Sequence, residues 1–219
     1  VDYVRYPAQY RNTSYGRLTD GADTWTFFEE YSFGTSNNGK KNAAQRCTKP
    51  VLSVPGGLYA SSVSLSFATP APGETIYYNL NSEDPNPASS TAYTPGTTIT
   101  INSNTVVRAV AVAEGKIKSD ITTATYLIGQ REFNLPVVSL VTPTANLFDN
   151  TIGIYVEGTN GITGCGDGKS YNWNQSWDRP ANFELFDKQK VVRLNQEVDI
   201  QTAGCASLTF NPQKSLHIQ

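Results

Sequence analysis

Between residues 47 and 128 apolar side chains recur at every second position, and this alternation limits the fold more than any other feature of the chain. Val63, Leu65 and Phe67 alternate with serines, and Ile76, Tyr78 and Leu80 repeat the pattern. Thr97, Ile99 and Ile101 continue it, Val106 to Ala113 forms a longer run containing Arg108, and Thr122 to Ile128 supplies another. A period of two sends successive side chains to opposite faces of a strand, so each run offers one face for burial. Turn-forming clusters separate the runs: Pro55-Gly56-Gly57, Pro70-Ala71-Pro72-Gly73, Asp84-Pro85-Asn86-Pro87, Pro95-Gly96 and Glu114-Gly115-Lys116. With Val51 to Val54 in front, the spacing predicts six or seven short strands in a small antiparallel sandwich. No segment carries a comparable helical period, and only Thr144 to Asp149 is expected to make a turn of helix. The predicted class is all-β, an immunoglobulin-like β-sandwich flanked by partial β-rich segments.

The flanks read differently. Residues 1–40 crowd Tyr3, Tyr6, Tyr10, Tyr15, Trp25, Phe27, Phe28, Tyr31 and Phe33 before a turn-rich stretch from Gly34 to Gly39, and Lys40 to Arg46 reads as a polar linker. A third segment starts near Asn134, with strands expected at Pro136–Val141, Ile152–Val156, Ala181–Phe186 and Val191–Gln201. The glycine-rich stretch from Glu157 to Asp178 is too long for a simple connection. The chain closes in an expected strand from Lys214 to Gln219. With no methionine, it reads as a piece excised from a longer protein.

Lys plus Arg number 17 and Asp plus Glu 19, for a formal charge of −2. That balance argues against nucleic acid as a partner, since such binding draws on clustered cations. Serine, threonine and asparagine number 18, 24 and 18, which suits a well-solvated β surface. No apolar run approaches the roughly 18–20 residues of a membrane helix. The single histidine, His217, lies near the C-terminus and reads as a strand residue rather than part of a catalytic triad. Cys47, Cys165 and Cys205 are too widely spaced for a CxxC metal pattern, and no cofactor is expected. Gly164-Cys165-Gly166-Asp167-Gly168-Lys169-Ser170 approaches a phosphate-binding loop, but the pattern needs glycine where Thr163 stands, and Tyr171-Asn172-Trp173-Asn174 is a poor helix start. Tyr171, Trp173 and Trp177 are candidates for an aromatic platform that stacks on sugar rings, against the plainer reading that they pin the long loop. Asp20, Asp23, Asp84, Asp149 and Asp167 sit in turns without the dense ladder of a calcium loop, so turn capping explains them better.

Three resemblances run along the chain. Ser14-Tyr15-Gly16-Arg17-Leu18-Thr19-Asp20-Gly21, Trp25-Thr26-Phe27-Phe28 and Gly34-Thr35-Ser36-Asn37 resemble the second half of a lamin-tail domain, with Phe33-Gly34 in place of the usual Pro-Gly. Pro50 to Ile128 resembles the chitobiase/hexosaminidase C-terminal type of sandwich, through Gly57-Leu58-Tyr59, Ile76-Tyr77-Tyr78, Asp84-Pro85, Arg108-Ala109 and Lys118-Ser119-Asp120. Pro136-Val137-Val138-Ser139-Leu140, Gly153-Ile154-Tyr155-Val156, Arg179-Pro180 and Pro212-Gln213-Lys214-Ser215 resemble the opening of a CotH-type kinase domain. This order implies a bacterial surface or secreted multidomain protein: residues 1–40 as the C-terminal part of a lamin-tail-like domain, 47–128 as the sandwich, and 134–219 as the N-terminal part of a CotH-kinase-like domain.

The third resemblance implies that Lys214 contacts nucleotide phosphates. It also implies that the magnesium carboxylates and catalytic base lie beyond this chain, and Leu208 and Thr209 stand where many relatives carry an arginine. Phosphoryl transfer depends on positioning and electrostatic stabilisation by those groups, so no catalytic residue is assigned. The expected function is a non-catalytic scaffold or binding module. The alternatives are a fragment of an atypical CotH-type protein kinase and a carbohydrate-binding module. Cell-surface proteins or glycans are the expected partners, and an extracellular or cell-surface location is implied. Export would place the chain where disulfides persist. Cys165 and Cys205 share the third segment and have glycine neighbours that allow close backbone approach, so they are expected to pair and leave Cys47 free.

Overall fold

The alternating runs pair into strands whose inward faces are apolar, and the turn clusters fall between them. The structure is a computed structural model that describes residues 3–10, 13–130 and 134–219. In chain order the strands are β1 (Ser14–Arg17), β2 (Trp25–Phe28), β3 (Asn42–Ala43), β4 (Gly57–Tyr59), β5 (Val63–Leu65), β6 (Thr75–Asn79), β7 (Thr91–Ala92), β8 (Ile99–Ile101), β9 (Thr105–Val112) and β10 (Thr122–Ile128). They continue with β11 (Val137–Val141), helix α1 (Thr144–Phe148), β12 (Ile162–Thr163), β13 (Ser170–Tyr171), β14 (Arg179–Phe186), β15 (Val192–Ala203), helix α2 (Ala206–Phe210) and β16 (Ser215–Ile218).

The central unit is an immunoglobulin-like sandwich. Its larger sheet has the order β4-β10-β9-β6-β7, and the β5–β8 pair forms the facing layer. All pairings are antiparallel except β4 with β10, where Gly57 lies opposite Tyr126. Val63 and Leu65 of β5 and Ile99 and Ile101 of β8 meet Ile76, Val107, Ala109, Ala111, Ala124 and Tyr126 of the larger sheet. The small alanines of β9 and β10 let the layers close around Tyr126, whose hydroxyl donates to the Val54 carbonyl at 2.6 Å. Gly96 and Gly115 hold φ of 84° and 70° in the turns, a conformation glycine adopts without steric cost.

Since Val107, Ala109 and Ala111 face this core, Arg108 and Val110 face the opposite way, as do Thr123 and Thr125 on β10. These four outward residues are nevertheless buried. A third layer, the sheet β11-β14-β15-β16, packs over Thr123 and Thr125, while Arg108 is held by the turn at Ser82–Asp84. The far face of that sheet carries a second core around Ile154, Ala181, Val198 and Ile200. On the N-terminal side β1, β2 and β3 form a small antiparallel sheet with Phe28 buried, and Tyr10, Tyr15, Trp25 and Phe27 make successive ring contacts.

Several local expectations need correcting. Ile152–Val156 is not a strand: Gly153, Ile154 and Tyr155 donate back to the carbonyls of Asp149, Asn146 and Leu147, folding the segment onto α1. Ile154 is buried there by a turn rather than by sheet alternation. Val51–Val54 contributes a single bridge, Leu52 to Phe67, instead of a strand. The long excursion of 157–178 contains the β12–β13 hairpin and a 3-10 turn at Asn172–Asn174, and α2 was not legible as a helix.

Candidate functional site

The junction between the sandwich and the third layer concentrates buried polar chemistry. Threonines on β10 alternate with Ala124 and Tyr126, and on β14 Asn182 and Glu184 alternate with Ala181, Phe183 and Leu185. Each strand therefore presents a polar stripe, and the two stripes meet. The Glu184 side chain is fully buried. Its Oε2 accepts from Thr125 Oγ1 at 2.5 Å, and its Oε1 accepts from the Thr125 backbone N–H at 3.3 Å and from Asn195 Nδ2 at 3.2 Å. Asn195 Nδ2 also reaches the Thr123 carbonyl, and Thr125 Oγ1 lies 2.7 Å from Ser139 Oγ of β11. No cation pairs with Glu184 among the described residues. Burial raises its pKa above the ordinary carboxylate value, and the hydrogen bonds from Thr125 pull weakly the other way.

Gly56 closes this seam. A methyl group there would stand 2.8 Å from the Thr125 carbonyl oxygen and 3.1 Å from Glu184 Oε1. Backbone cannot yield as a flexible side chain does, so Gly56→Ala is expected to lower stability by about 1–3 kcal/mol, the usual overpacking cost. Chemical denaturation of the two proteins measures it, and an unchanged midpoint would mean the seam is looser than described.

Beside the seam opens a cleft of about 200 Å³. Arg108 and Thr123 of the sandwich, the Ser119–Ile121 segment and the turn at Asp84 line one side, and Asn182 and Glu197 line the other, with Arg46 and Glu29 at the N-terminal edge. Arg108 is buried; its Nε donates to Thr123 Oγ1 at 3.3 Å, and its Nη1 donates to the Ser82 carbonyl at 2.8 Å and to Asp84. Arg46 donates from Nη2 to Asp120 at 2.6 Å and from Nε to the Lys118 carbonyl at 2.9 Å. The Arg46 guanidinium also lies 4.2 Å from the Tyr10 ring centroid.

Residues 54–123 match the family model described as the chitobiase/beta-hexosaminidase C-terminal domain. No curated protein matches the chain. The match runs from just before β4 to the start of β10, and it includes Arg108, Asp84 and Asp120 of the cleft. Thr125 and Glu184 fall outside it, as do the segments that resemble lamin-tail and CotH-type domains.

Of the residues singled out by sequence, Asp84 lines the cleft, whereas Tyr171, Trp173, Trp177 and Lys214 belong to other clusters. Tyr171 and Trp173 stack at 4.4 Å between ring centroids and are buried with Leu208. Trp177 instead packs against the cluster around Ile154, beneath the Arg179 guanidinium at 4.8 Å. The three rings therefore do not share one platform. Tyr171 donates from its hydroxyl to Asp167, which pushes its pKa up to about 12. Lys214 places Nζ 3.9 Å from the Trp173 ring centroid and donates to the Leu208 carbonyl at 2.6 Å and the Asn211 carbonyl at 3.4 Å. Burial lowers its pKa. Its ammonium is thus committed to closing the last turn of α2, the role of a basic side chain at a helix C-terminus. Cys165 and Cys205 are joined by a disulfide with Cα atoms 5.1 Å apart, and Cys47 is a free, buried thiol. The glycine-rich residues 164–169 connect β12 to β13, so the strand-to-helix geometry of a phosphate loop is not formed. His217 is an exposed residue of β16, opposite Gln201.

Proposed function

We propose that this chain is a non-catalytic scaffold module of a surface or secreted multidomain protein, in which the sandwich and the third sheet form one stiff joint that fixes the direction of whatever they carry. The buried Glu184 network is the observation that supports this reading most. A flexible tether would leave β10 and β14 solvated. Here Thr125, Ser139, Asn195 and Glu184 bond across the seam with Gly56 pressed against it, and buried polar groups demand partners at defined positions. The reading treats 47–128 as the sandwich, 1–40 as a lamin-tail-like flank and 134–219 as a CotH-type flank. The Cys165–Cys205 bond favours an extracellular setting, since such bonds persist in oxidising compartments. Nothing about Lys214 favours the kinase alternative, because its ammonium is spent on backbone carbonyls.

Spin labels on Thr100→Cys in β8 and Lys188→Cys beyond β14, both exposed positions, test the joint by electron–electron distance measurement. A single narrow distribution is expected, retained at low and high salt. A broad distribution, as from two independently tumbling bodies, would rule out the scaffold reading.

A further inference from the structure

We propose that the cleft beside the seam binds one neutral sugar residue. The walls carry unspent hydrogen-bonding capacity of both signs. Arg108 uses Nε and Nη1 within the protein, and its Nη2 has no hydrogen-bond partner among the described residues. Asn182 is buried and donates from Nδ2 to Asn195, while its Oδ1 accepts no bond from a described residue. The Glu197 carboxylate has no partner among the described residues, and Asp84 and Asp120 each use Oδ1 and keep a second oxygen. Arg108 Nη2 is not among the buried atoms left without a partner, so it faces solvent in the cleft, where a ligand hydroxyl can take the place of water.

Charge decides what that something is. Arg46, Arg108 and Lys118 stand against Glu29, Asp84, Asp120 and Glu197 along the lining, and each arginine already holds its own aspartate. An entering anion meets carboxylates beside every guanidinium. No group of three or more His, Cys, Asp or Glu side chains converges to hold a metal ion among the described residues. A hydroxyl, which donates and accepts at once, matches interleaved donors and acceptors, and a ring with several hydroxyls uses the whole wall. Ile121 and Pro180 supply apolar surface for its C–H face. The volume lies below the roughly 300–1,000 Å³ of drug-sized sites, which limits the cleft to a single ring. No aromatic side chain among the described residues lines it, so the interaction is weak and suited to repeated engagement along a glycan.

This site goes beyond the scaffold role and does not depend on it. Titration of the labelled chain with the methyl glycosides of glucose, galactose and N-acetylglucosamine, followed by amide chemical shifts, tests it. At least one sugar should give saturable shifts at Arg108, Asn182 and Glu197 in the millimolar range. Glu197→Ala removes an exposed side chain with no partner among the described residues, so the fold should persist. It should weaken binding about tenfold, the loss expected for one hydrogen bond to a charged group. Absence of saturable cleft shifts with all three sugars, or binding unchanged in Glu197→Ala, would overturn the assignment. So would tighter binding of N-acetylneuraminic acid, because the cleft would then select an anion. Each of these outcomes leaves the spin-label distances unaffected.

Discussion

Replacing Cys165 and Cys205 together by serine is expected to cost about 4 kcal/mol of stability, concentrated in the third segment. The bond closes a loop of 40 residues, and the loss of loop entropy from the unfolded chain sets the magnitude. Native contacts follow in the same direction. The bond ties the excursion after β12 to the start of α2, where Thr209 Oγ1 donates to the Cys165 carbonyl and Leu208 packs on Tyr171 and Trp173. Lys214 then caps the end of α2, so loosening the excursion also removes the surface against which β16 is aligned. Denaturant unfolding of the two proteins gives the number, and limited proteolysis gives the place, with cleavage expected first at residues 161–169 while 47–128 stays intact. A loss below about 1 kcal/mol would mean that the rest of the segment already restrains the unfolded loop. Thiol titration of the denatured, unreduced chain should count one cysteine, because Cys47 is free.

The sandwich was legible because its signals are local. Val63, Leu65, Ile99 and Ile101 lie at period-two positions bounded by proline and glycine, and both the fold class and the inward residues follow from that spacing. The short edge strands β4 and β7 were not, since Gly57 and Thr91 look like turn residues until β10 and β6 pair with them. Nor was the junction. Asn182 and Glu184 alternate with Ala181, Phe183 and Leu185, a pattern that reads as a solvated face of an ordinary strand. Only the packing of one sheet on another turns that face inward, and no local spacing encodes it. Arg108 did carry a signal, being a lone cation inside the longest apolar strand. Such a residue needs buried partners, and Asp84, 24 positions earlier, is one of them. The aromatic run from Tyr171 to Trp177 misled in the opposite direction. Its composition suits both a binding platform and a packed loop, and burial of Tyr171 and Trp173 under Lys214 favours packing.

Glu184→Ala is expected to destabilise the chain by about 3 kcal/mol, because it leaves the buried Thr125 N–H without an acceptor, empties a buried side-chain site, and leaves the Thr125 hydroxyl and Asn195 with only their bonds to Ser139 and the Thr123 carbonyl. Glu184→Gln should behave differently. Its amide oxygen can accept from Thr125 N–H and Asn195, and its NH₂ can donate to Thr125 Oγ1, so the geometry survives without the charge. The carboxyl pKa is raised in the folded state by burial. Its contribution to stability is therefore fully present below the ordinary glutamate value and is lost as pH rises through the raised value. Tyr126, whose own pKa is raised by burial first and then by Tyr59 and Glu184, is the titratable neighbour on β10, and it stays neutral throughout this range. Asp149, Asp167 and Asp187 are held low by hydrogen bonds in their turns, so they favour the fold with the opposite sign, losing stability as pH falls. They are common to both proteins and cancel in the difference. The stability of the parent minus that of Glu184→Gln should thus decline steadily as pH rises above the ordinary glutamate range, and Glu184→Gln should equal or exceed the parent at neutral pH. A difference independent of pH would mean that Glu184 is solvated and that the seam is open to water.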